Sequence, residues 1–287
     1  MINRILLIPF NENDINRFQG QSIVLKLNDI EKITQTVEHV KNLQIDLKCI
    51  LIKCQIPLVS IPFQEEWQDI PIALYVPSLG LFRDFINKLP ILKKLNIKVY
   101  LTTSSKENYT SLRILSSLGI NSVVVFDNKY LNWELLSDLM TYSLLGLVKH
   151  APIEPFHFIA SHYEPTKRTD FGAVYFEDPS KYLHVDEKGH VALSQKELKS
   201  GKYIAKEISE LNEFLQSDKY IMRLGEWKEF FLQTDGCAYC QGWRVCLGKF
   251  SKVSKKKSGC KKFFSELMDV VEQFQSLHNN KKETWQP

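Results

Sequence analysis

Between residues 22 and 150 the chain alternates short apolar runs with longer stretches in which apolar residues recur every three or four positions. The short runs, Ser22–Leu27, Leu47–Ile52, Ile70–Val76, Ile97–Thr102 and Ser122–Phe126, are rich in Val, Ile, Leu and Tyr. They are nearly continuous, which fits strands of a parallel sheet buried on both faces; a half-solvated strand would alternate. Between them, one helical face is marked by Ile30, Ile33, Val37 and Val40. A second carries Leu81, Phe82, Phe85, Ile86 and Leu89, and a third Leu131, Leu135, Leu139 and Tyr142. Asp29, Ser78 and Asn108 are placed to cap helices and Gly119 to end one. Parallel neighbours need a crossover, so the order implies βα units wound right-handedly. These units stop well short of the roughly 250 residues of an eight-unit barrel. The expected fold class is therefore α/β, with a partial (β/α) barrel over residues 1–165 and a smaller α+β domain over 166–287.

After His150 the rhythm breaks at Pro152, Pro155, Pro165 and Pro179. Short strands are expected at His157–Ala160 and Gly172–Phe176. A hairpin is expected from Tyr182–Val185 and His190–Leu193, turning at Asp186–Gly189. A helix through Tyr203–Leu215 places Ile204, Ile208, Leu211 and Leu215 on one stripe. A closing helix carries Phe263, Leu267, Val270, Val271 and Phe274, and the polar tail from His278 is expected to fray. With 44% hydrophobic and 24% charged residues, the chain has the composition of a folded domain. No run approaches the ~18 apolar residues of a membrane span. Ile5–Phe10 is followed at once by Asn11, Glu12, Asn13 and Asp14, which is no signal-peptide pattern. A cytoplasmic location is expected, where clustered cysteines suggest metal binding before disulfides.

Four of the six cysteines, Cys237, Cys240, Cys246 and Cys260, fall in one stretch spaced C-x2-C-x5-C-x13-C. Cysteines two residues apart can turn both sulfurs onto one centre, and two more complete a set of four. Burial as small hydrophobes is the plain alternative, but such clustering argues against it. Zinc ribbons pair two C-x2-C knuckles, and the second pair here is not one. A 4Fe–4S cluster takes four thiolates at uneven spacing. Iron–sulfur is the preferred reading and zinc the alternative. Gly236, Gly242, Gly248 and Gly259 lie beside the ligands, where a bare backbone can approach a cluster. Trp243 is expected to pack over the centre, and Arg244 to pair with a carboxylate or donate toward sulfur. Cys49 and Cys54 flank a strand and are expected to pack in the core.

The net charge of +4 is local in origin, because seven lysines, Lys249, Lys252, Lys255, Lys256, Lys257, Lys261 and Lys262, surround the last cysteine. They suit a solvated, partner-facing loop; offsetting a negatively charged cluster and binding nucleic acid are the other readings. No base-reading motif accompanies them, which disfavours nucleic acid. His150, His157, His162, His184 and His190 have no neighbouring nucleophile or carboxylate pair and are expected at the surface or in the hairpin. Asp170, Glu177 and Asp178 are expected as loop acids. No G-x-G-x-x-G, P-loop or H-E-x-x-H is present.

The run from Cys237 to Gly248, CAYCQGWRVCLG, with its later cysteine, resembles the SPASM domain of radical SAM peptide-maturing enzymes. The resemblance implies that Cys237, Cys240, Cys246 and Cys260 hold one auxiliary 4Fe–4S cluster. Where the family pattern has a further x3-C cysteine, this chain has Phe250. In the hairpin, Gly189-x4-Ser194 stands in place of Gly-x4-Cys. The ligands of a second auxiliary cluster are thus missing as a set. The C-x3-C-x2-C triad that radical chemistry needs is also absent, since Cys49 and Cys54 are the only cysteines before residue 237. The implied protein is a degenerate, pseudo-radical SAM homologue with no catalytic residues and no S-adenosylmethionine expected. Its partner would be an active maturase, a precursor peptide or both. An electron-transfer subunit and a zinc-stabilised nucleic-acid binder are the alternatives.

Overall fold

The computed structural model describes residues 4–11, 14–127, 129–229, 237, 239–250 and 258–283. Nine strands form one open, mostly parallel sheet. In chain order they are β1 (Ile5–Pro9), β2 (Ser22–Leu27), β3 (Asp46–Lys53), β4 (Ile72–Val76), β5 (Ile97–Thr102), β6 (Ser122–Val125), β7 (Ile153–Glu154), β8 (Tyr182–Val185) and β9 (Val191–Ala192). Across the sheet they run β7-β6-β5-β4-β3-β2-β1-β8-β9. The class is α/β, as its near-continuous apolar runs imply, with strands one to seven in sequential order. The run at Ile5–Phe10, given no element by its sequence, forms β1, which pairs parallel with both β2 and β8.

The chain gathers into two compact units, Met1–Val99 with Tyr175–Trp227 and Tyr100–Val174 with Lys228–Pro287. The boundary expected between residues 165 and 166 falls inside the second unit's first stretch.

The first unit holds β1 to β4, β8 and β9 with helices α1 (Ile33–Asn42) and α2 (Phe82–Lys94). Register places the polar strand residues on one face. Leu6, Ile8, Ile23, Leu25, Ile50, Ile52, Ile72 and Leu74 are all buried and point to the other. Sequential right-handed crossovers place their helices on a single face, and this apolar one suits them. The opposite face carries the polar strand residues, including Ser22, Lys26, Lys53, Tyr75 and His184, among buried Leu7, Val24, Leu51 and Ala73. The hairpin is as expected: β8 and β9 pair antiparallel about a turn that ends at Gly189, φ 90°. His184 lies in the hairpin, one of the two places expected for it, but not at the surface. It is only 5% exposed, because β8 lies inside the sheet between β1 and β9.

Two further helices of this unit are α6 (Gln195–Lys199) and α7 (Leu211–Leu215), and a third, α8 (Asp218–Glu229), leads out of it. Ser194 caps α6 by accepting from the Glu197 N–H at 3.2 Å, while Glu197 reaches back to accept from the N–H of Leu193, the residue before the cap, at 3.2 Å. The helix expected over Tyr203–Leu215 begins only at Ile208, as a single 3-10 turn, because Ala205 makes a bridge with Val191 instead.

The second unit is mainly helical: α3 (Lys106–Ser117), α4 (Trp133–Leu145), α5 (Phe156–His162), α9 (Trp243–Cys246) and α10 (Ser258–Glu283). The strands expected at His157–Ala160 and Gly172–Phe176 are helix α5 and a 3-10 turn at Phe171–Tyr175. Short apolar runs do not distinguish strand from buried helix, and Pro155 opens this one as a helix. Asp29 and Gly119 act as expected, but Leu81 and Ser105 precede α2 and α3 where Ser78 and Asn108 were placed. Asn108 lies inside α3 and donates to the Thr102 carbonyl at 2.9 Å. Helix α10 packs on α4 and α5; Gln275 donates to the carbonyls of Ala160 and Tyr163 at 3.0 and 2.9 Å. It continues to Glu283, past His278 where fraying was expected. Among the described residues no helix is long and apolar enough to cross a membrane.

Candidate metal centre

All four clustered cysteines belong to the second unit. The first three sit on tight turns. The Cys240 N–H donates to the Cys237 carbonyl at 3.1 Å, and the Trp243 N–H to the Cys240 carbonyl at 3.0 Å. The single turn α9 follows, closed by Cys246 N–H to the Gly242 carbonyl at 2.8 Å. Leu247 and Gly248 then take left-handed conformations, φ 48° and 70°. That region is uncommon for leucine. Its effect is to fold the chain back, so that the N–H groups of Phe250 and Lys249 reach the Cys246 sulfur. Cys260 lies in the first turn of α10, where its own N–H and that of Lys261 face its sulfur. Backbone N–H groups without helical partners are the usual donors at such a terminus.

Cys246 lies within electrostatic reach of Cys260 and Cys240, and Cys260 of Cys240 and Cys237. Burial chiefly, then the neighbouring Cys260 and Cys240, pushes the Cys246 thiol up to about 12. Burial, then Cys240 and Cys237, raises the Cys260 thiol. Each thiolate disfavours the next, so the set accepts four negative charges only against a compensating cation. Two glycines make the approach possible. A Cβ on Gly242 would meet the Phe264 side chain at 2.5 Å, and one on Gly259 the Trp133 ring at 2.4 Å. The donor set, four thiols of which Cys246 and Cys260 are backed by N–H groups, suits a group bound by thiolates. Among the described residues no group of three or more His, Cys, Asp or Glu side chains is placed to hold a metal ion.

Phe250, where the resembled pattern has a cysteine, is 3% exposed. Its ring meets Phe126 at 5.0 Å, Trp133 at 5.5 Å and Phe264 at 5.8 Å between centroids. Edge-on pairs of this kind add to the area they bury. Trp243 is flanked by two guanidiniums, Arg244 at 4.3 Å and Arg168 at 5.6 Å, and shares with Cys240 the wall of an open cleft of about 460 Å³. Arg244 therefore lies against an aromatic ring, where a carboxylate or sulfur partner was expected. Lys249 is not a solvated lysine: it pairs with Asp170 at 3.5 Å and lies over Phe171 at 5.4 Å. Asp170, expected as a loop acid, also accepts from the Gly172 N–H at 2.7 Å. Gly236 and the lysines at 252, 255, 256 and 257 lie outside the described residues.

The other cysteines are in the first unit and half-buried. Burial pushes the Cys49 thiol up to about 12 and raises that of Cys54. Sequence reasoning missed Lys26, whose position on the polar sheet face depends on strand register. No family model matches this chain, and no curated protein matches it.

Proposed function

We propose that the protein is a catalytically degenerate relative of radical SAM/SPASM enzymes. In this reading it binds one 4Fe–4S cluster through Cys237, Cys240, Cys246 and Cys260 and serves as a non-catalytic partner of an active peptide maturase. The observation that carries the reading is the C-x2-C-x5-C-x13-C spacing, with Cys246 facing Cys260 and Cys240, and Cys260 facing Cys240 and Cys237. Support also comes from the two positions that depart from the family pattern. Ser194 is occupied as a helix cap and Phe250 as a core aromatic, so both have structural work that needs no metal. Neither Cys49 nor Cys54 belongs to a C-x3-C-x2-C triad. A bound cluster would supply the cation that four thiolates require and would stabilise their turns.

Purification without air followed by iron, sulfide and zinc analysis tests the cluster. Iron and sulfide in equal amounts are expected, with most of the iron lost in Cys246→Ser. Stoichiometric zinc, with nucleic-acid affinity falling steeply as salt rises, would replace the reading by the zinc-stabilised binder. Incubation with S-adenosylmethionine and reductant tests the loss of catalysis, and release of 5′-deoxyadenosine would overturn it. An electron-transfer role requires that Cys240→Ser, if folded, slow the partner enzyme.

A further inference from the structure

Lys26 lies near the carboxyl end of β2, opposite Pro9 of β1, which separates it from the corresponding end of β8 on the same face of the sheet. In open α/β sheets ligands gather beyond the carboxyl ends of the strands. An open cleft of about 310 Å³ occupies that place, walled by Pro9, Lys26, Val185, Lys188, Gln195 and Leu198. Lys26 donates to Gln195 Oε1 at 2.9 Å and makes no ion pair among the described residues. The charged group acting on it is another cation, Lys53; burial first, then Lys53, brings its ammonium down to about 8. Behind it stands His184, with Nδ1 buried and unpartnered. Burial, then the Lys26 charge, holds that imidazole down to about 4.

The acids in the wall do not answer these cations. Asp186 is used up in its own turn: Oδ1 accepts from the N–H groups of Lys188 and His190, both at 2.9 Å, and Oδ2 from His190 Nδ1 at 2.9 Å. Glu187 is exposed, and its backbone carbonyl accepts from Arg17 at 3.1 Å. The cleft therefore combines a half-buried ammonium, a second lysine and an amide between apolar side chains. An ion pair formed beside such walls is less screened than one in open water.

We propose that this cleft binds a small oxyanion, a carboxylate or a phosphate, with Lys26 as its central cation and Gln195 and Lys188 as flanking donors. Lys26, with three N–H donors, would add a charged partner to its neutral amide one, the stronger kind of hydrogen bond. Gln195 keeps two N–H donors for the same ligand while its oxygen faces Lys26. The site lies in the first unit and uses no cysteine, so it stands or falls independently of the cluster.

Calorimetric titration of the full chain with inorganic phosphate, and separately with succinate, at low ionic strength tests the proposal. At least one probe is expected to bind; phosphate alone would point to a phosphorylated ligand and succinate alone to a carboxylate. Lys26→Met should weaken binding about tenfold or more, a loss of about 1.4 kcal/mol or more. Lys26→Arg should keep most of the affinity, and Lys94→Met, at an exposed pair with Glu65, should keep all of it. If Lys26→Met fails to fold, Gln195→Leu replaces it, with a several-fold loss expected. Binding of neither probe, or unchanged affinity in both Lys26→Met and Gln195→Leu, overturns the proposal.

Discussion

The two units hold their chemistry in different ways. In the first, Lys26, Lys53, Tyr75 and His184 share a face because strand register puts them there, and ladder hydrogen bonds fix that register without any ligand. In the second, Cys237, Cys240, Cys246 and Cys260 sit on turns and a helix start, fixed by a few large aromatic rings and two close glycine contacts. A strand-borne site is preorganised by repetition. A turn-borne site depends on particular side chains, and in the reading proposed above on the group it binds.

The largest effect separating the two should come from Phe250→Ala, which empties a buried site ringed by Phe126, Trp133 and Phe264. A loss of about 3–5 kcal/mol is expected. Hydrogen exchange should show lost protection in α4 and α10, with β2 and β3 unaffected; equal loss in both units would break the comparison.

His184 gives the first unit a pH dependence of its own. Its pKa is about 4 when folded against 6.5 for the free side chain, so protonation favours the unfolded chain. Its contribution is fully present above pH 6.5 and declines as pH falls toward 4, by up to about 3 kcal/mol. Chemical denaturation across that range should show the decline, and His184→Leu should flatten that part of the profile.

Gly259→Ala is the smallest test. The added methyl would meet the Trp133 ring, which is held by Phe250 and Phe263, so the ring cannot move away freely. A cost of about 1–3 kcal/mol is expected, read as a lower melting temperature of the second unit. Gly225→Ala, whose new methyl meets nothing, should be neutral or slightly stabilising within a helix.

Much of the sheet was legible because buried parallel strands leave unbroken apolar runs. Ser22–Leu27 and Ile97–Thr102 are strands with the expected ends. What escaped was short or unpatterned. Ile5–Pro9 is a strand because β2 and β8 supply partners on both sides, and nothing local announces them. Phe156–His162 is helical although its composition suits a strand equally well. Candidate ligands were visible as a spacing of cysteines, whereas the role of Phe250 was not, since a phenylalanine beside a cysteine motif carries no signal of what its ring will meet.

From sequence alone came the α/β class, the parallel strands and the four thiols of one local stretch, because buried periodicity and clustered cysteines are written along the chain itself. The tertiary structure alone decided that β8 returns to flank β1, that His184 is thereby buried, and that Lys26 shares its face of the sheet and makes no ion pair among the described residues. Residues 26 and 184 are far apart in the chain, and no local pattern encodes the pairing of β2 and β8 with the two sides of β1 that brings them to one face.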